Sequence, residues 1–241
     1  MKHKKKTKRR GYWLLILFFL STSLLSLKTL KKVNIQDIKI YGSNLFSQND
    51  LVDNSSLKFP TRLILINTSH LEKELKQNLS LKNVSISRQI LPFGLKVYVY
   101  TRTPIAYGEK ILNDKKIFGY VDKYGFFINK QNTEEKNLKN LSIQVLGWKR
   151  KFRKILSSIF IAQENYEFEI TKITFSPNGF LTVEEKDLKT ILLGFNPKLI
   201  NYQLQIINKL KNELGNINFP EEIDNIDLTD PNKPKIKVFK P

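Results

Sequence analysis

The side chains that could do acid–base or metal chemistry in this chain are few and poorly grouped. It has two histidines and no cysteine among 241 residues. Without cysteine there is no structural disulfide, no thiolate metal site and no cysteine nucleophile. His3 stands among lysines at the amino terminus. His70 falls in the first turn of an expected helix, beside Glu72 and Glu74. A metal site needs three or four converging ligands, so His70 reads as a surface residue. Glu109, Asp114 and Asp122 are carboxylates of the kind that pair for glycoside hydrolysis. Asp122, however, opens Asp122-Lys123-Tyr124-Gly125, where a turn already explains it. The chain contains no Gly-x-x-x-x-Gly-Lys, no Gly-x-Gly-x-x-Gly, no Gly-x-Ser-x-Gly, and no Ser-x-x-Lys in a catalytic context. The sequence therefore predicts no enzyme, no cofactor, no metal and no small-molecule substrate.

Charge is the next informative feature. The formal net charge is +19. Lys2, Lys4, Lys5, Lys6, Lys8, Arg9 and Arg10 all lie before Gly11, and an uncharged stretch runs from Tyr12 to Leu27. Extended to Leu30, the stretch at about 1.5 Å per residue approaches the ~30 Å hydrocarbon thickness of a bilayer. Tyr12 and Trp13 stand where an aromatic belt belongs, and Lys28 can snorkel. The excess of cations before the stretch orients the amino terminus to the cytoplasm. The expectation is a basic cytoplasmic tail over 1–11 and a membrane helix over 12–30. A cleaved signal peptide is the competing reading, but no Ala-x-Ala-like site follows. A second basic run, Trp148-Lys149-Arg150-Lys151-Phe152-Arg153-Lys154, reads as the solvated face of an amphipathic helix, or else as a contact for anionic lipid or an acidic partner. An extracytoplasmic position argues against nucleic acid.

The remaining elements alternate between the two periods of secondary structure. Ile38 and Ile40 alternate with Lys39 and Tyr41, as in a half-buried strand. Ser47 with Asp50 marks a short helix. Ser69 with Glu72 has capping-box spacing, and Leu71, Leu75 and Leu79 then repeat on one helical face. Val84–Ser87 and Leu95–Tyr100 alternate around Pro92-Phe93-Gly94, a hairpin signal. Further on, Ile117–Val121 and Phe126–Ile128 flank one turn, and Ile170–Phe175 and Phe180–Glu184 flank another. Phe152, Ile155, Leu156 and Ile159 predict one helix. Asn196 and Pro197 at the start, with Gly215 at the end, delimit a second whose buried face is Leu204, Ile207, Leu210 and Leu214. Ile226-Asp227-Leu228 and Lys235–Phe239 are strand-like. The fold class is α+β: a β-α-α-β-β unit over 33–102, then a larger mixed β domain with two helices over 103–241.

This order of features resembles the FtsQ/DivIB family of bacterial division proteins, and the central unit resembles a POTRA domain. Ile38-Lys39-Ile40-Tyr41-Gly42-Ser43 is similar to I-x-V-x-G-N/S, and Val84–Arg88 with Pro92 to V-x-V-x-R…P. Thr101-Arg102-Thr103-Pro104-Ile105-Ala106 is similar to E-R-x-P-I-A, and Val121-Asp122…Gly125 to V-D-x-x-G. Leu193-Gly194 and Ile226-Asp227-Leu228 follow in order. Two departures stand out. Thr101 replaces the family's Glu, which removes one partner for an ion pair at that corner, and Thr229-Asp230 replaces an Arg-aromatic pair. The resemblance implies a non-enzymatic scaffold in the bacterial plasma (inner) membrane, located at the division septum. Its implied partners are single-pass division proteins of FtsB/FtsL type. Another POTRA-bearing transport or secretion component is the alternative. Arg102 and Pro104 are the expected domain junction. Lys235, Ile236, Lys237, Val238 and Phe239 are the expected partner-binding strand. They alternate charged and apolar residues, the period of a strand with one face packed, they form the last strand, and the resemblance points to the same region. Pro234 and Pro241 bracket the segment and limit pairing. Capture of partners elsewhere, for instance on the 33–102 unit, is the competing expectation.

Overall fold

The computed structural model describes residues 4–30, 32–134, 138, 141–166, 168–216 and 223–238, with side chains of 4–10, 25–30 and 215–216 excepted. The chain divides into two compact units, residues 1–101 and 102–241. The first unit begins with helix α1 (Lys4–Leu30), which starts earlier than the expected span. Among the described residues no helix is long and apolar enough to cross a membrane. The side chains described along α1 are those of 11–24, and each large apolar residue from Tyr12 to Leu20 is more than half exposed.

The rest of the first unit comprises β1 (Lys32–Val33), β2 (Ile38–Tyr41), α2 (Gln48–Asp53), β3 (Thr61–Arg62), α3 (Thr68–Asn78), β4 (Asn83–Ile90) and β5 (Phe93–Tyr100). β5 is central in a three-stranded sheet, parallel to β2 and antiparallel to β4. Leu71 and Leu75 on α3, with Leu79 just past its end, pack with Val84, Ile86, Leu95, Val97 and Val99 from the sheet. Ser47 caps α2 reciprocally with Asp50. α3 starts differently from the expected capping box. Its cap is Asn67, whose side chain accepts His70 N–H at 3.1 Å. Glu72 instead accepts the N–H of Ile86 at 2.7 Å, tying helix to strand. The two-residue pair β1–β3 has no periodicity signal, being too short to show one.

The second unit contains β6 (Pro104–Leu112), β7 (Lys115–Asp122), β8 (Phe127–Asn129), β9 (Ile143–Leu146), α4 (Arg153–Asn165), β10 (Ile170–Phe175), β11 (Leu181–Glu185), β12 (Lys189–Gly194), α5 (Ile200–Asn216), β13 (Ile223–Asp227) and β14 (Lys235–Val238). The nine strands form one sheet in the order β14-β13-β12-β11-β10-β9-β6-β7-β8. Phe152, Leu156, Ile159 and Phe160 at α4, and Ile200, Leu204 and Ile207 on α5, share one core with the strands. This is the layered solution for helices laid against an apolar sheet face. α5 begins three residues after Pro197 and runs through Gly215. Leu199 N–H bonds Asn196 O at 3.2 Å, so Asn196 closes a turn that leads into the helix.

Candidate functional site

The side chains named above for catalysis or metal binding do not converge. His70 Nε2 lies 3.2 Å from Glu74 Oε1 in an exposed i,i+4 pair. Glu74 Oε2 also accepts Ser56 N–H and hydroxyl at 2.9 and 2.8 Å, which hold its carboxyl below the ordinary range. In the β6–β7 ladder Asp122 stands opposite Pro104, whereas Glu109 stands opposite Phe118 and takes Lys116 Nζ at 3.1 Å. Asp114 sits in the intervening turn at φ 59°. Among the described residues no three His, Asp or Glu side chains are grouped to hold a metal.

The carboxy-terminal strand offers a different kind of site. β14 pairs with β13 alone, in the register Asp227↔Lys235, Ile226↔Ile236, Asn225↔Lys237 and Ile223↔Val238. β13 in turn lies parallel to β12. β14 therefore ends the sheet, and its outer side carries main-chain donors and acceptors unmatched by any other described strand. The turn before it is set by Asp227, whose carboxylate accepts Thr229 hydroxyl at 2.6 Å and N–H at 2.9 Å. These two bonds, with Lys235 nearby, hold the Asp227 carboxyl below the usual range. The expectation that one face of this strand is packed fails. Lys235, Ile236 and Lys237 are all exposed, and Val238 is half-buried. The core receives Ile226 and Leu228 from β13 and the residue after it, but nothing from β14. Lys237 Nζ approaches Asp224 at 3.5 Å. Phe239 and Pro241 lie outside the described residues.

The expected junction residues also occupy a defined place. Arg102 Nη1 donates to Asp122 Oδ2 at 2.6 Å, with the two side chains only 6% and 5% exposed. Asp122 Oδ1 accepts the N–H groups of Tyr124 and Phe126 at 2.9 and 2.8 Å. The guanidinium groups of Arg102 and Arg153 lie 3.6 and 3.2 Å from the Phe126 ring centroid. Burial, then Arg102 and Arg150, push the Arg153 pKa down, and Asp122 opposes them. Trp148 Nε1 donates to Gly125 O at 2.9 Å. A Cβ at Gly125, whose φ is 74°, would meet Arg153 O at 2.5 Å, so only glycine fits. Pro104 begins β6 where a missing N–H costs little. The basic run is thus divided. Lys149, Arg150, Lys151 and Lys154 are exposed, while Arg153 is drawn onto Phe126.

Residues 33–100 match the domain family described as "POTRA domain, FtsQ-type". The chain is also similar to the cell division protein DivIB of Clostridium acetobutylicum. The two are 27% identical over 162 residues, which is 66% of this chain and 61% of that relative. The chain thus carries an FtsQ-type POTRA domain and is similar to a division protein of the DivIB type. The match therefore spans about three fifths of that relative's length.

With the FtsQ/DivIB motifs placed in three dimensions, two of them prove to be one feature. Arg102 from the Thr101–Ala106 segment and Asp122 from the Val121–Gly125 segment form the buried pair. The departure at Thr101 therefore leaves no unpaired cation at Arg102, because Asp122 supplies the counter-charge. Two further polar groups carried no sequence signal. Gln203, fully buried on α5, donates to Leu193 O at 2.8 Å and Leu228 O at 2.7 Å, binding the helix to the ends of β12 and β13. Glu185, equally buried, accepts N–H groups from Glu169, Asp187 and Leu188 and takes Lys211 Nζ at 2.8 Å. Burial of Lys211 opposes its charge, yet Asp187 and Glu185 outweigh it and raise its pKa. Nothing in the residue types alone distinguishes Gln203 or Glu185 from exposed neighbours on the same elements.

Proposed function

We propose that this chain is a non-enzymatic, membrane-anchored scaffold of the bacterial cell-division machinery, recruiting single-pass division proteins of FtsB/FtsL type to the septum. The observation that carries this reading is the open edge of β14 in a chain that carries an FtsQ-type POTRA domain and is similar to a DivIB division protein. An incoming strand can add to Lys235–Val238 through main-chain hydrogen bonds, with alternate side chains supplying specificity. Lys235 and Lys237 discourage indiscriminate pairing of the same edge. Exposed Ile236 gives an arriving strand an apolar contact. The proposed partner contacts are Lys235, Ile236, Lys237, Val238 and the following Phe239.

Anchorage is part of the same proposal. The tail over 1–11 stays in the cytoplasm, 12–30 spans the plasma membrane, and the units over 33–102 and 103–241 stand outside. The uncharged stretch and its flanking cations support this reading. So does the continuous exposure of Trp13, Leu14, Leu15, Ile16, Leu17, Phe18, Phe19 and Leu20, a run that water solvates poorly. The test is co-purification of the division partner with the full chain and with a chain lacking 235–241. Capture by the full chain and loss on truncation are expected, together with midcell fluorescence of a tagged full chain. Undiminished capture by the truncated protein would overturn the edge assignment. Uniform envelope fluorescence would overturn the division role.

A further inference from the structure

The first unit carries an apolar tip at the end where the chain enters it. β1 begins two residues after α1 ends, and it pairs directly with β3 through Lys32↔Arg62 and Val33↔Thr61. The residues that follow β3 form a turn of 3₁₀-helix, Leu63–Leu65. Leu63 is buried, but Ile64 is 57% and Leu65 70% exposed. Consecutive Cα atoms are at most about 3.8 Å apart, and paired antiparallel strands about 5 Å, so Ile64 and Leu65 cannot lie more than roughly 25 Å from Leu30. The α1 backbone runs close beside Leu63–Leu65 and β4.

A second exposed apolar group is held at the same end. Arg88, near the close of β4, donates Nη2 and Nε to Ile66 O at 2.6 and 3.2 Å. That bridge clamps the β4–β5 hairpin beside the 3₁₀ turn. At the hairpin tip, three residues past Arg88, Leu91 is 73% exposed. Ile64, Leu65 and Leu91 are thus gathered by a ladder, a clamp and the approach of α1. Lys32, Lys58 and Arg62, all exposed, flank them. Asp37, a half-buried carboxylate near the hairpin, is engaged by its own segment and accepts Asn34 N–H at 2.8 Å. Apolar side chains rimmed by cations, next to the end of a spanning helix, have the composition of a membrane-interface contact.

We infer that Ile64, Leu65 and Leu91 insert into the outer face of the bilayer that α1 spans, with Lys32, Lys58 and Arg62 on the lipid phosphates. This rests on the membrane anchorage proposed above. The seating gives the first unit a fixed tilt at the lipid surface, where a helix end alone would leave it free to swivel.

The absence of cysteine makes the test direct. The full chain is reconstituted into phosphatidylethanolamine/phosphatidylglycerol vesicles, with a single environment-sensitive fluorophore on I64C, L65C, L91C, Y98C or F19C. Quenching by lipids with a nitroxide near the headgroup is compared with quenching by a water-soluble ion. Tyr98 lies mid-strand in β5 and serves as the solvent control, and Phe19 reports the span itself. Labels at 64, 65 and 91 are expected about 5–10 Å into the headgroup–acyl boundary, with lipid quenching several-fold above the label at 98. If 19 is lipid-quenched while 64, 65 and 91 behave like 98, the inserted tip is refuted and anchorage stands. If 19 is itself accessible to the aqueous quencher, anchorage fails and the tip fails with it.

Discussion

Replacing Asp122 by alanine tests the corner at which two family motifs meet. The substitution removes the partner of Arg102, whose side chain is 6% exposed, and it strands the N–H groups of Tyr124 and Phe126. It also leaves two guanidinium groups, Arg102 and Arg153, against one aromatic ring without the Asp122 carboxylate. Breaking a buried pair by removing one member costs about 3–5 kcal/mol, because the survivor is a buried charge that has lost its counter-ion. Typical stabilities are about 5–15 kcal/mol, so the second unit should lose a large share of its reserve. Removing both charges is expected to be milder, and Asp122→Leu with Arg102→Met should recover more than half of the loss. Trp148 is a built-in reporter, since its indole donates to Gly125 in the same turn. In a Trp13→Phe background it is the single tryptophan, because the chain has two. Urea unfolding of the full chain in detergent, followed by Trp148 emission, gives the free energies. A cost of Asp122→Ala below about 1 kcal/mol would falsify the claim that this buried pair holds the corner together.

Three other outcomes are expected. Leu75, 1% exposed on α3, should cost about 2–5 kcal/mol when cut to alanine, and a loss under about 1 kcal/mol would mean that this helix face is not the core of the first unit. Gln203→Met leaves the carbonyls of Leu193 and Leu228 without their donor, at about 1–3 kcal/mol. Hydrogen exchange should then quicken selectively over 223–238, and unchanged protection there would remove Gln203 from its tying role. The carboxyls of Asp50, Asp187 and Asp227 lie below the ordinary 3.8 in the folded chain, chiefly through hydrogen bonds from Ser47, Lys211 and Thr229. Their folded values are the lower ones, so their contribution is complete above the ordinary carboxylate range and is lost as pH falls through the depressed values. Lys211 has the opposite sign: its contribution is full below 10.5 and fades as pH rises through its raised value. Melting temperature measured against pH should therefore drop at both extremes, and an Asp187→Asn variant that keeps the full acid limb would contradict the assignment of that carboxyl.

Legibility from sequence followed the length scale of each interaction. The α3 face was readable because Leu71, Leu75 and Leu79 recur at every fourth position, and the Ser47–Asp50 cap because both partners sit within one short segment. β6, β9 and β12 gave no comparable signal. β9 has four residues and lies parallel to strands on both sides, a pairing set by distant segments. Asp122 was readable as a turn residue, and it does hold the turn. Its second role depends on Arg102, far back along the chain at the start of the unit. The α3 start departs from the capping-box spacing because Glu72 satisfies Ile86 rather than its own helix end. For β14, chain order pointed to the edge position that the sheet gives it. Alternation gave a false packing pattern, because the core takes no side chain from beyond Leu228.

β14 is held differently from the rest of its sheet. Each other strand of the nine contributes at least one residue to the shared core, from Ala106 and Val121 through Phe127, Val145 and Ile173 to Leu181, Ile191 and Ile226. β14 contributes none and is held by its ladder to β13 and by the turn that Asp227 and Asp230 fix. Losing it should therefore cost hydrogen bonds, each worth about 0.5–1.5 kcal/mol net, but no cavity. Cutting one strand further back would remove Ile226 and Leu228, both fully buried, and unseat the Gln203 bridge. The boundary between the proposed binding edge and the folded core thus falls between β13 and β14. A chain lacking 235–241 can lose partner capture while its core stays closed, whereas a chain lacking 223–241 must lose both.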